Sequence, residues 1–152
     1  MIERVGSADL DDLLPLMRGY CDFYEVAPSD DELRSLCQAL IADPDSAGLQ
    51  LIARDDAYRT PLGFATIFWS YSTLSATRIA IMNDLYVAPG ARRGGVGAAL
   101  IRACEAECAS RDVAILEWQT AHSNTRAQSV YDTFAAAQRS EWLTYTLPVT
   151  RR

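Results

Sequence analysis

The sequence predicts a single α/β (α+β) domain over residues 1–152, with a mixed, mostly antiparallel central sheet of six to seven strands and helices on both faces. A chain of 152 residues with 49% hydrophobic content has the length and the apolar content of one globular domain. Its patterns run in the order strand, two helices, three strands, helix, strand, helix, strand. This order predicts an antiparallel meander that is extended by a parallel strand and covered on both faces.

The N-terminal third predicts a short strand and two helices. Residues 2–5 are strand-like, and capping side chains at 7–9 precede a helix over 10–24 in which leucines recur at helical spacing. Acidic residues 30–32 begin a second helix, because carboxylates favour the positive end of the helix dipole. This helix is expected to end near Asp43, which is followed by proline.

The rest of the chain predicts three strands and then an alternation of helix and strand. Runs rich in β-branched and aromatic residues, separated by turn residues, predict strands over 49–55, 61–71 and 77–87. The same reasoning predicts a helix over 95–110, a strand over 113–120, a helix over 124–137 and a last strand over 142–147.

Composition excludes several classes of function. A net charge of −6 and a pI near 4.7 disfavour a nucleic-acid binder and favour a cationic small molecule. The acidic N-terminus is unlike a signal peptide, and no apolar run approaches the roughly 18 residues of a membrane span, so we expect a cytoplasmic protein without membrane contact. The four cysteines include no CxxC pair and the chain has one histidine, which predicts reduced, buried thiols and no metal site.

The stretch GARRGGVGAAL, residues 90–100, lies where a strand is followed by a helix. A helix N-terminus presents unpaired backbone N–H groups and partial positive charge, and glycines let an anion approach them, so the stretch predicts a phosphate site. A Walker P-loop is excluded because Val96 stands where Lys is required. A dinucleotide fingerprint is excluded because the preceding strands are antiparallel and the third glycine is missing.

Two short motifs stand out: Arg92, Gly95 and Gly97 form Arg-x-x-Gly-x-Gly, and Asn124, Ala127 and Tyr131 form Asn-x-x-Ala-x-x-x-Tyr. Both motifs resemble those of the GCN5-related N-acetyltransferases, and the order of strands and helices resembles that family's fold over nearly the whole chain. The resemblance implies the fold of this family, and acetyl-coenzyme A as co-substrate. The coenzyme-binding residues that it implies are Leu85, Tyr86, Val87, Arg92, Arg93, Gly94, Gly95, Val96, Gly97, Ala98, Asn124, Ala127 and Tyr131.

Within the family, the chain looks most like the yeast histone and polyamine acetyltransferases and their bacterial relatives. It departs from many members after the tyrosine, where Phe134, Ala135 and Ala136 replace a Leu-Gly-Phe turn. The loop after Tyr131 is therefore expected to differ.

The resemblance also implies roles in acetyl transfer. The Val87 N–H would hold the thioester carbonyl at a bulge of its strand, and Tyr131 would protonate or hydrogen-bond the leaving sulfur. In the polyamine enzymes a carboxylate stands where this chain has Asn83. The general base is left open between Asp84, which strand alternation turns to the opposite face unless the bulge reverses it, and Glu117 on the neighbouring strand.

Acceptor recognition is predicted at the end of the first helix. Tyr20, Tyr24 and Glu25, together with Asn83, combine aromatic and acidic groups that suit a cation, although an ordinary solvated helix end has the same composition. Trp69 and Tyr71 are assigned to the same groove, to the core or to a dimer contact. His122 is expected to be an exposed loop residue.

Three functions remain open from the sequence. The first is an N-acetyltransferase acting on a small amine such as a polyamine or an amino acid. The second is a protein lysine or N-terminal acetyltransferase, and the third is a non-catalytic coenzyme A binding or sensing module, which Asn83 in the usual base position favours. We expect the small-molecule amine as the main partner, no nucleic acid, and a homodimer.

Overall fold

A computed structural model describes residues 1–150 and contains one five-stranded sheet. Strands β1 (Ile2–Arg4), β2 (Gly48–Arg54), β3 (Pro61–Ser72) and β4 (Thr77–Val87) are antiparallel neighbours in chain order, and β5 (Ile115–Glu117) pairs in parallel with β4. The mixed, mostly antiparallel sheet is confirmed. The predicted count of six to seven strands is wrong, since the described residues form five.

Helices cover both faces of the sheet, as predicted. Helices α1 (Leu10–Phe23) and α2 (Asp30–Ala42) pack on one face, and α3 (Val96–Ala109) and α4 (Thr125–Tyr131) lie on the other. Because side chains alternate along a strand, each central strand supplies both cores. Ile52 and Phe64 belong to the cluster beneath α1 and α2, whereas their neighbours Leu51 and Ala65 belong to the cluster beneath α3.

A β-bulge in β4 reverses the direction of its side chains. Thr66 of β3 pairs with Asp84, but the next residue, Ile67, pairs with Met82, so Asn83 is an extra residue without a partner in β3. As a result Met82 packs beneath α3 while Asp84 lies by Tyr20 of α1. Without the bulge, Met82 and Asp84 would share a face.

The sheet opens between β4 and β5. Strand β5 pairs only with Ile79, Ala80 and Ile81, so the second half of β4 has no neighbour on that side. We call this opening the β4–β5 gap, bounded by residues 82–87 of β4. Helix α3 begins at Val96, after a short 3₁₀ helix (Pro89–Ala91) and the glycine loop that follow β4. A Cβ added at Gly97 would lie 3.7 Å from the Val87 Cγ2, so the N-terminus of α3 lies beside the end of β4 and the gap.

The C-terminal predictions are corrected by the structure. The strand expected over 113–120 is limited to Ile115–Glu117, and the helix expected over 124–137 ends at Tyr131. The strand expected over 142–147 does not form. Its large apolar side chains are 78–90% exposed, and β-forming residues without a paired neighbour do not form a stable strand.

The prediction of buried, reduced cysteines is confirmed for all four thiols. Cys21, Cys37, Cys104 and Cys108 are free and buried, and burial raises the pKa of each thiol. They therefore remain protonated near neutral pH and serve as small core residues. Within residues 1–150, none of the helices has the length and apolar character needed to cross a membrane.

Candidate functional site

A row of backbone amides without partners lies at the start of α3. The Ala99 N–H donates to the Gly95 carbonyl at 2.9 Å, but the amides of residues 93–98 make no hydrogen bond within the described part of the chain. Gly95 is the N-cap residue and has φ +78°, a left-handed conformation that glycine adopts without strain. Free amides at a helix N-terminus form a binding site for phosphate groups.

The space in front of these amides is open. A Cβ added at Gly95 would meet no atom within 4 Å, and one added at Gly97 would meet only the Val87 Cγ2 at 3.7 Å. Gly95 is therefore needed for its backbone conformation, whereas Gly97 leaves room at the surface of the loop. The donors and the open space together fit a phosphate or pyrophosphate group.

Arg92 attaches this loop to the end of β4. Its Nε donates to the Val87 carbonyl at 3.1 Å, and its guanidinium lies 6.0 Å from the centre of the Tyr86 ring. Arg93 is exposed and has φ +69°, so it extends from the loop toward solvent. The arginine of the sequence motif thus holds the amide row against the β4–β5 gap.

The free edge of β4 directs backbone groups into the gap. The Ala88 N–H donates to the Leu62 carbonyl at 2.8 Å, so the preceding pair, Val87 with Gly63, is not hydrogen-bonded to β3. The Val87 N–H therefore points away from β3, to the side where β5 is absent. The same alternation turns the Leu85 N–H into the gap. Arg92 donates to the Val87 carbonyl, whereas the Val87 and Leu85 N–H groups remain free to donate to a ligand in the gap.

Asp84 is a buried carboxylate without a cationic partner. Its side chain is 7% exposed, and no Lys, Arg or His side chain of the described residues pairs with it. Burial raises the pKa of Asp84. Three hydrogen bonds oppose that rise, from the Thr66 hydroxyl, the Tyr20 hydroxyl and the Asn83 amide. The Asn83 Nδ2 donates to the Asp84 Oδ1 at 2.9 Å. A buried carboxylate of this kind attracts a cation or a proton.

Two tyrosines of α1 stand beside Asp84. The Tyr20 hydroxyl lies 3.4 Å from the Asn83 carbonyl, and its ring contacts the Tyr24 and Phe64 rings with centroid distances of 5.0 and 6.0 Å. Burial, with the charge of Asp84, raises the pKa of Tyr20, so its hydroxyl acts as a donor. Tyr24 is 47% exposed at the open end of this cluster.

Tyr131 approaches the same region from the opposite face of the sheet. It is the last residue of α4, is half-buried, and packs edge-on against the Trp118 ring at 5.5 Å. Burial raises the pKa of Tyr131, and the Tyr24 phenol at the end of α1 adds to that rise. The Tyr131 hydroxyl has no hydrogen bond within the described residues and is available to a ligand.

Asn124 and Ala127 of the second motif form the start of α4. The Asn124 side-chain oxygen accepts from the Ala127 N–H at 3.1 Å, which is a helix N-cap. The motif that predicted a coenzyme contact therefore also sets the position of the helix that carries Tyr131. Only the Asn124 amide nitrogen is left for a bound molecule.

The remaining predicted residues are spread around this centre. Glu117 is exposed and pairs with Ile81, and its side chain has no ion pair or hydrogen bond within residues 1–150. Glu25 is exposed with φ +56°, and His122 is exposed as expected. Of the aromatic pair, Trp69 is a core residue whereas Tyr71 is 80% exposed.

Sequence reasoning missed Thr66 and Gln50. Both are buried, and the Gln50 Nε2 donates to the Thr66 Oγ1 at 3.1 Å beside Asp84. The available signal was a single polar residue inside each of two otherwise apolar strand runs, LQLIA and GFATIF. Buried polar side chains are uncommon unless they are paired, so such positions identify candidates for a polar site.

The arrangement brings together four chemical capacities at one gap. The amide row before α3 can hold a polyanion, and the Val87 N–H can stabilise an oxyanion at the edge of β4. Asp84 can accept a proton, and Tyr131 can donate a hydrogen bond from the other side. No group of three or more His, Cys, Asp or Glu residues within 1–150 is placed to hold a metal ion.

Comparisons with known proteins agree on one class. A family model described as "Acetyltransferase (GNAT) family" matches residues 13–135. The chain is 28% identical over 148 residues, 97% of either sequence, to the uncharacterised N-acetyltransferase YhfO of Bacillus subtilis (strain 168). It is 34% identical over 91 residues to the phosphinothricin N-acetyltransferase of Alcaligenes faecalis, covering 59% of this chain and 43% of that enzyme. The crystal structure of a probable acetyltransferase matches with TM-score 0.85 and 28% identity, over 100% of this chain and 99% of that one.

Proposed function

This chain belongs to the acetyltransferase (GNAT) family, and on that premise we propose that it transfers the acetyl group of acetyl-coenzyme A to a primary amine of a small molecule. The family resemblance deduced from the glycine loop and the Asn124–Tyr131 helix is thereby confirmed. The closer resemblance to the yeast histone and polyamine subgroup stays a prediction.

The observation that carries the proposal is the buried, unpaired Asp84 carboxylate beside a gap that is lined by free backbone donors. Acetyl transfer requires a neutral amine, a stabilised tetrahedral oxyanion and a stabilised leaving thiolate. Asp84, the Val87 N–H and Tyr131 supply one requirement each. Asp84 and Val87 lie on the β4 side of the gap, and Tyr131 packs on Trp118, which directly follows β5 on the other side. The amides of 93–98 would bind the coenzyme pyrophosphate.

The proposed reaction is a direct attack of the amine on the thioester. Asp84 takes a proton from the ammonium group, directly or through water, because an amine with a pKa near 10.4 is neutral in only about one molecule in 2,500 at pH 7. The amine nitrogen then bonds to the acetyl carbon, and the carbonyl oxygen becomes an oxyanion held by the Val87 N–H. Collapse breaks the carbon–sulfur bond, the nitrogen loses its second proton to solvent, and the thiolate leaves.

Tyr131 is assigned to the leaving sulfur as a hydrogen-bond donor. Transfer of its proton from a phenol near pKa 10 to a thiolate near 8.5 is already uphill by about 2 kcal/mol. Burial raises the pKa of Tyr131 further, which makes complete transfer less favourable. A strong hydrogen bond to the developing thiolate avoids this cost.

A cationic acceptor follows from the charges around Asp84. No basic residue within 1–150 neutralises this carboxylate, so an ammonium group in the gap would be its first counter-ion. Tyr20 and Tyr24 add aromatic surface for the same cation. Phosphinothricin, rather than a protein, is the acceptor named for one relative, which supports small amines as candidate acceptors.

A thiol-release assay with acetyl-coenzyme A and a panel of acceptors tests this function. We expect coenzyme A release that depends on a small amine, with lysine-containing peptides giving much lower rates. Faster turnover with the peptides would identify a protein acetyltransferase. Tight coenzyme binding without turnover on any acceptor would identify a binding or sensing module.

Gly97→Val is expected to weaken coenzyme binding while the domain stays folded. A Cβ at this position meets only an ordinary contact in the protein, but valine methyl groups would occupy the space in front of the amide row. Loss of one charge-assisted hydrogen bond corresponds to a rise in Kd of about tenfold or more. Calorimetric titration with acetyl-coenzyme A measures the Kd. Gly90→Val is the matched control, since a Cβ at Gly90 would meet no atom within 4 Å. Equal affinity for both variants would remove this loop from the coenzyme site.

We propose further that the protein forms a homodimer through residues 142–149. Large, exposed apolar side chains alternate with threonines in this segment, which pairs with no strand. The segment lies beside β5, because the Gln119 Nε2 donates to the Thr144 Oγ1 at 3.1 Å, and the outer edge of β5 is unpaired. An exposed apolar segment beside a free strand edge favours pairing with a second copy.

Light scattering is expected to give twice the chain mass for the wild-type protein and the monomer mass for Tyr145→Glu. Leu74→Glu, equally exposed but distant in sequence, should remain dimeric; a monomeric wild-type protein would disprove the dimer.

A further inference from the structure

Three buried polar residues form a row across three adjacent strands. Gln50 of β2 is in register with Thr66 of β3, and Thr66 is in register with Asp84 of β4. The three side chains are 3%, 0% and 7% exposed. Their row crosses the sheet beneath α1 and α2, and its Asp84 end borders the β4–β5 gap.

The hydrogen bonds of the row have a direction. The Gln50 Nε2 donates to the Thr66 Oγ1 at 3.1 Å, so this oxygen is used as an acceptor and its own hydrogen is free to point the other way. Asp84 is the acceptor in that direction, and the Thr66 hydroxyl opposes the burial-driven rise in the carboxyl pKa. The Asn83 amide, at 2.9 Å, and Tyr20 contact the same carboxylate from the gap side.

Burying this polar row costs folding free energy, which packing alone does not explain. The Gln50 Oε1 is buried without a hydrogen-bond partner among residues 1–150, which is unfavourable. Ile52 and Phe64, two residues from Gln50 and Thr66 on the same strands, fill the same face with apolar side chains. What the row adds to such packing is a fixed orientation for Asp84.

We propose that Thr66 and Gln50 are positioning residues, which hold the Asp84 carboxylate ionised and directed at the acceptor amine. This inference rests on the proposed function, in which Asp84 accepts the proton of the amine. Neither residue reaches the gap itself. Thr66 acts through its hydroxyl on Asp84, and Gln50 acts through Thr66.

The other titratable groups that face Asp84 do not interfere with a pH profile. Helix α1 presents Tyr20 and Cys21, and α2 presents Cys37; burial raises the pKa of each, and the charge of Asp84 adds to the rise. From β2 and β3 the facing groups are Gln50 and Thr66, which do not titrate. Loss of activity toward acid therefore reports on Asp84.

Thr66→Val tests the proposal with Thr66→Ser as the matched control. Valine keeps the shape of threonine without its hydroxyl, whereas serine keeps the hydroxyl without the methyl group. We expect Thr66→Val to lower kcat/KM about tenfold at neutral pH, the effect of losing one hydrogen bond to a charged group. The acidic limb should move to higher pH, because removing the donor raises the pKa of Asp84. Thr66→Ser should keep the wild-type pH profile even if it is less stable.

A second variant and a readout without turnover keep the test decisive. Gln50→Leu should move the acidic limb in the same direction but less, since it acts through Thr66. Carboxyl-carbon NMR should show Asp84 titrating at higher pH in Thr66→Val than in Thr66→Ser. An unchanged titration in both Thr66→Val and Gln50→Leu would overturn the inference. If the wild-type protein acetylates no amine, but the variants shift the Asp84 titration as expected, only the proposed function is overturned.

Discussion

Asp84→Asn is expected to lower kcat/KM for the acceptor amine by about 10²- to 10⁴-fold, the usual contribution of a general base. Asparagine keeps the size of the side chain and its contacts with Thr66, Tyr20 and Asn83, but it cannot take a proton. Steady-state rates of coenzyme A release measure the change. Coenzyme Kd should stay within a few-fold, because the amides proposed to bind the pyrophosphate lie beyond the end of β4.

The Asp84→Asn substitution should raise the stability of the fold while it lowers activity. Burial raises the pKa of Asp84 above its unfolded value, so the folded protein holds this proton more tightly. The free energy of unfolding therefore falls as pH rises from the unfolded pKa through the folded pKa, and it stays reduced above that range. Because asparagine carries no charge to bury, Asp84→Asn is expected to be at least as stable as wild type near neutral pH. Urea denaturation at pH 7 checks this.

Glu117→Gln is the matched control and tests the other candidate base. Glu117 is exposed, and its loss should leave the rate within a few-fold. If Glu117→Gln loses activity while Asp84→Asn keeps it, the assignment of the base passes to Glu117. If both are fully active, proton loss from the amine needs no carboxylate of this chain.

Tyr131→Phe is expected to reduce kcat by about 10²- to 10³-fold, the usual effect of losing one transition-state hydrogen-bond donor, with little change in coenzyme Kd. In the proposed mechanism the phenol assists mainly when charge develops on the leaving sulfur, so its loss should affect the transition state more than the bound state. Phenylalanine keeps the ring that packs against Trp118, which separates chemistry from packing. Steady-state kinetics and calorimetric titration with acetyl-coenzyme A give the two quantities.

Tyr71→Phe serves as the control for loss of a tyrosine hydroxyl, because Tyr71 is exposed on β3. It should retain the wild-type rate. An equal rate for Tyr131→Phe, measured where chemistry limits turnover, would return Tyr131 to a packing role at the end of α4.

The motifs could be located from the sequence because each is local. The amides before α3 are consecutive in the chain, and the glycines that expose them are visible as letters. The Asn124 cap and Tyr131 likewise lie within two turns of one helix. Local backbone chemistry at a helix N-terminus needs no information about distant residues.

The choice between Asp84 and Glu117 could not be made in this way. Regular strand alternation predicts that Asp84 and Asn83 lie on opposite faces of the sheet. Only the bulge in β4 shows which face Asp84 occupies. The bulge depends on how β3 and β4 are paired over their whole length. Gln50 and Thr66 were missed for the same reason, because they meet Asp84 only when three strands lie side by side.

By itself the sequence determined the first three helices, the antiparallel meander, the glycine loop before α3 and the place of Tyr131 on a capped helix, since periodicity, caps and glycine conformations act over a few residues. Tertiary structure decided the β4–β5 gap, the burial of Asp84 and the absence of a sixth strand among the described residues. Residues 142–147 have strong strand character, yet a strand forms only where a neighbour satisfies its backbone groups. The desolvation of Asp84 likewise depends on α1 packing over the sheet, which no stretch of sequence contains.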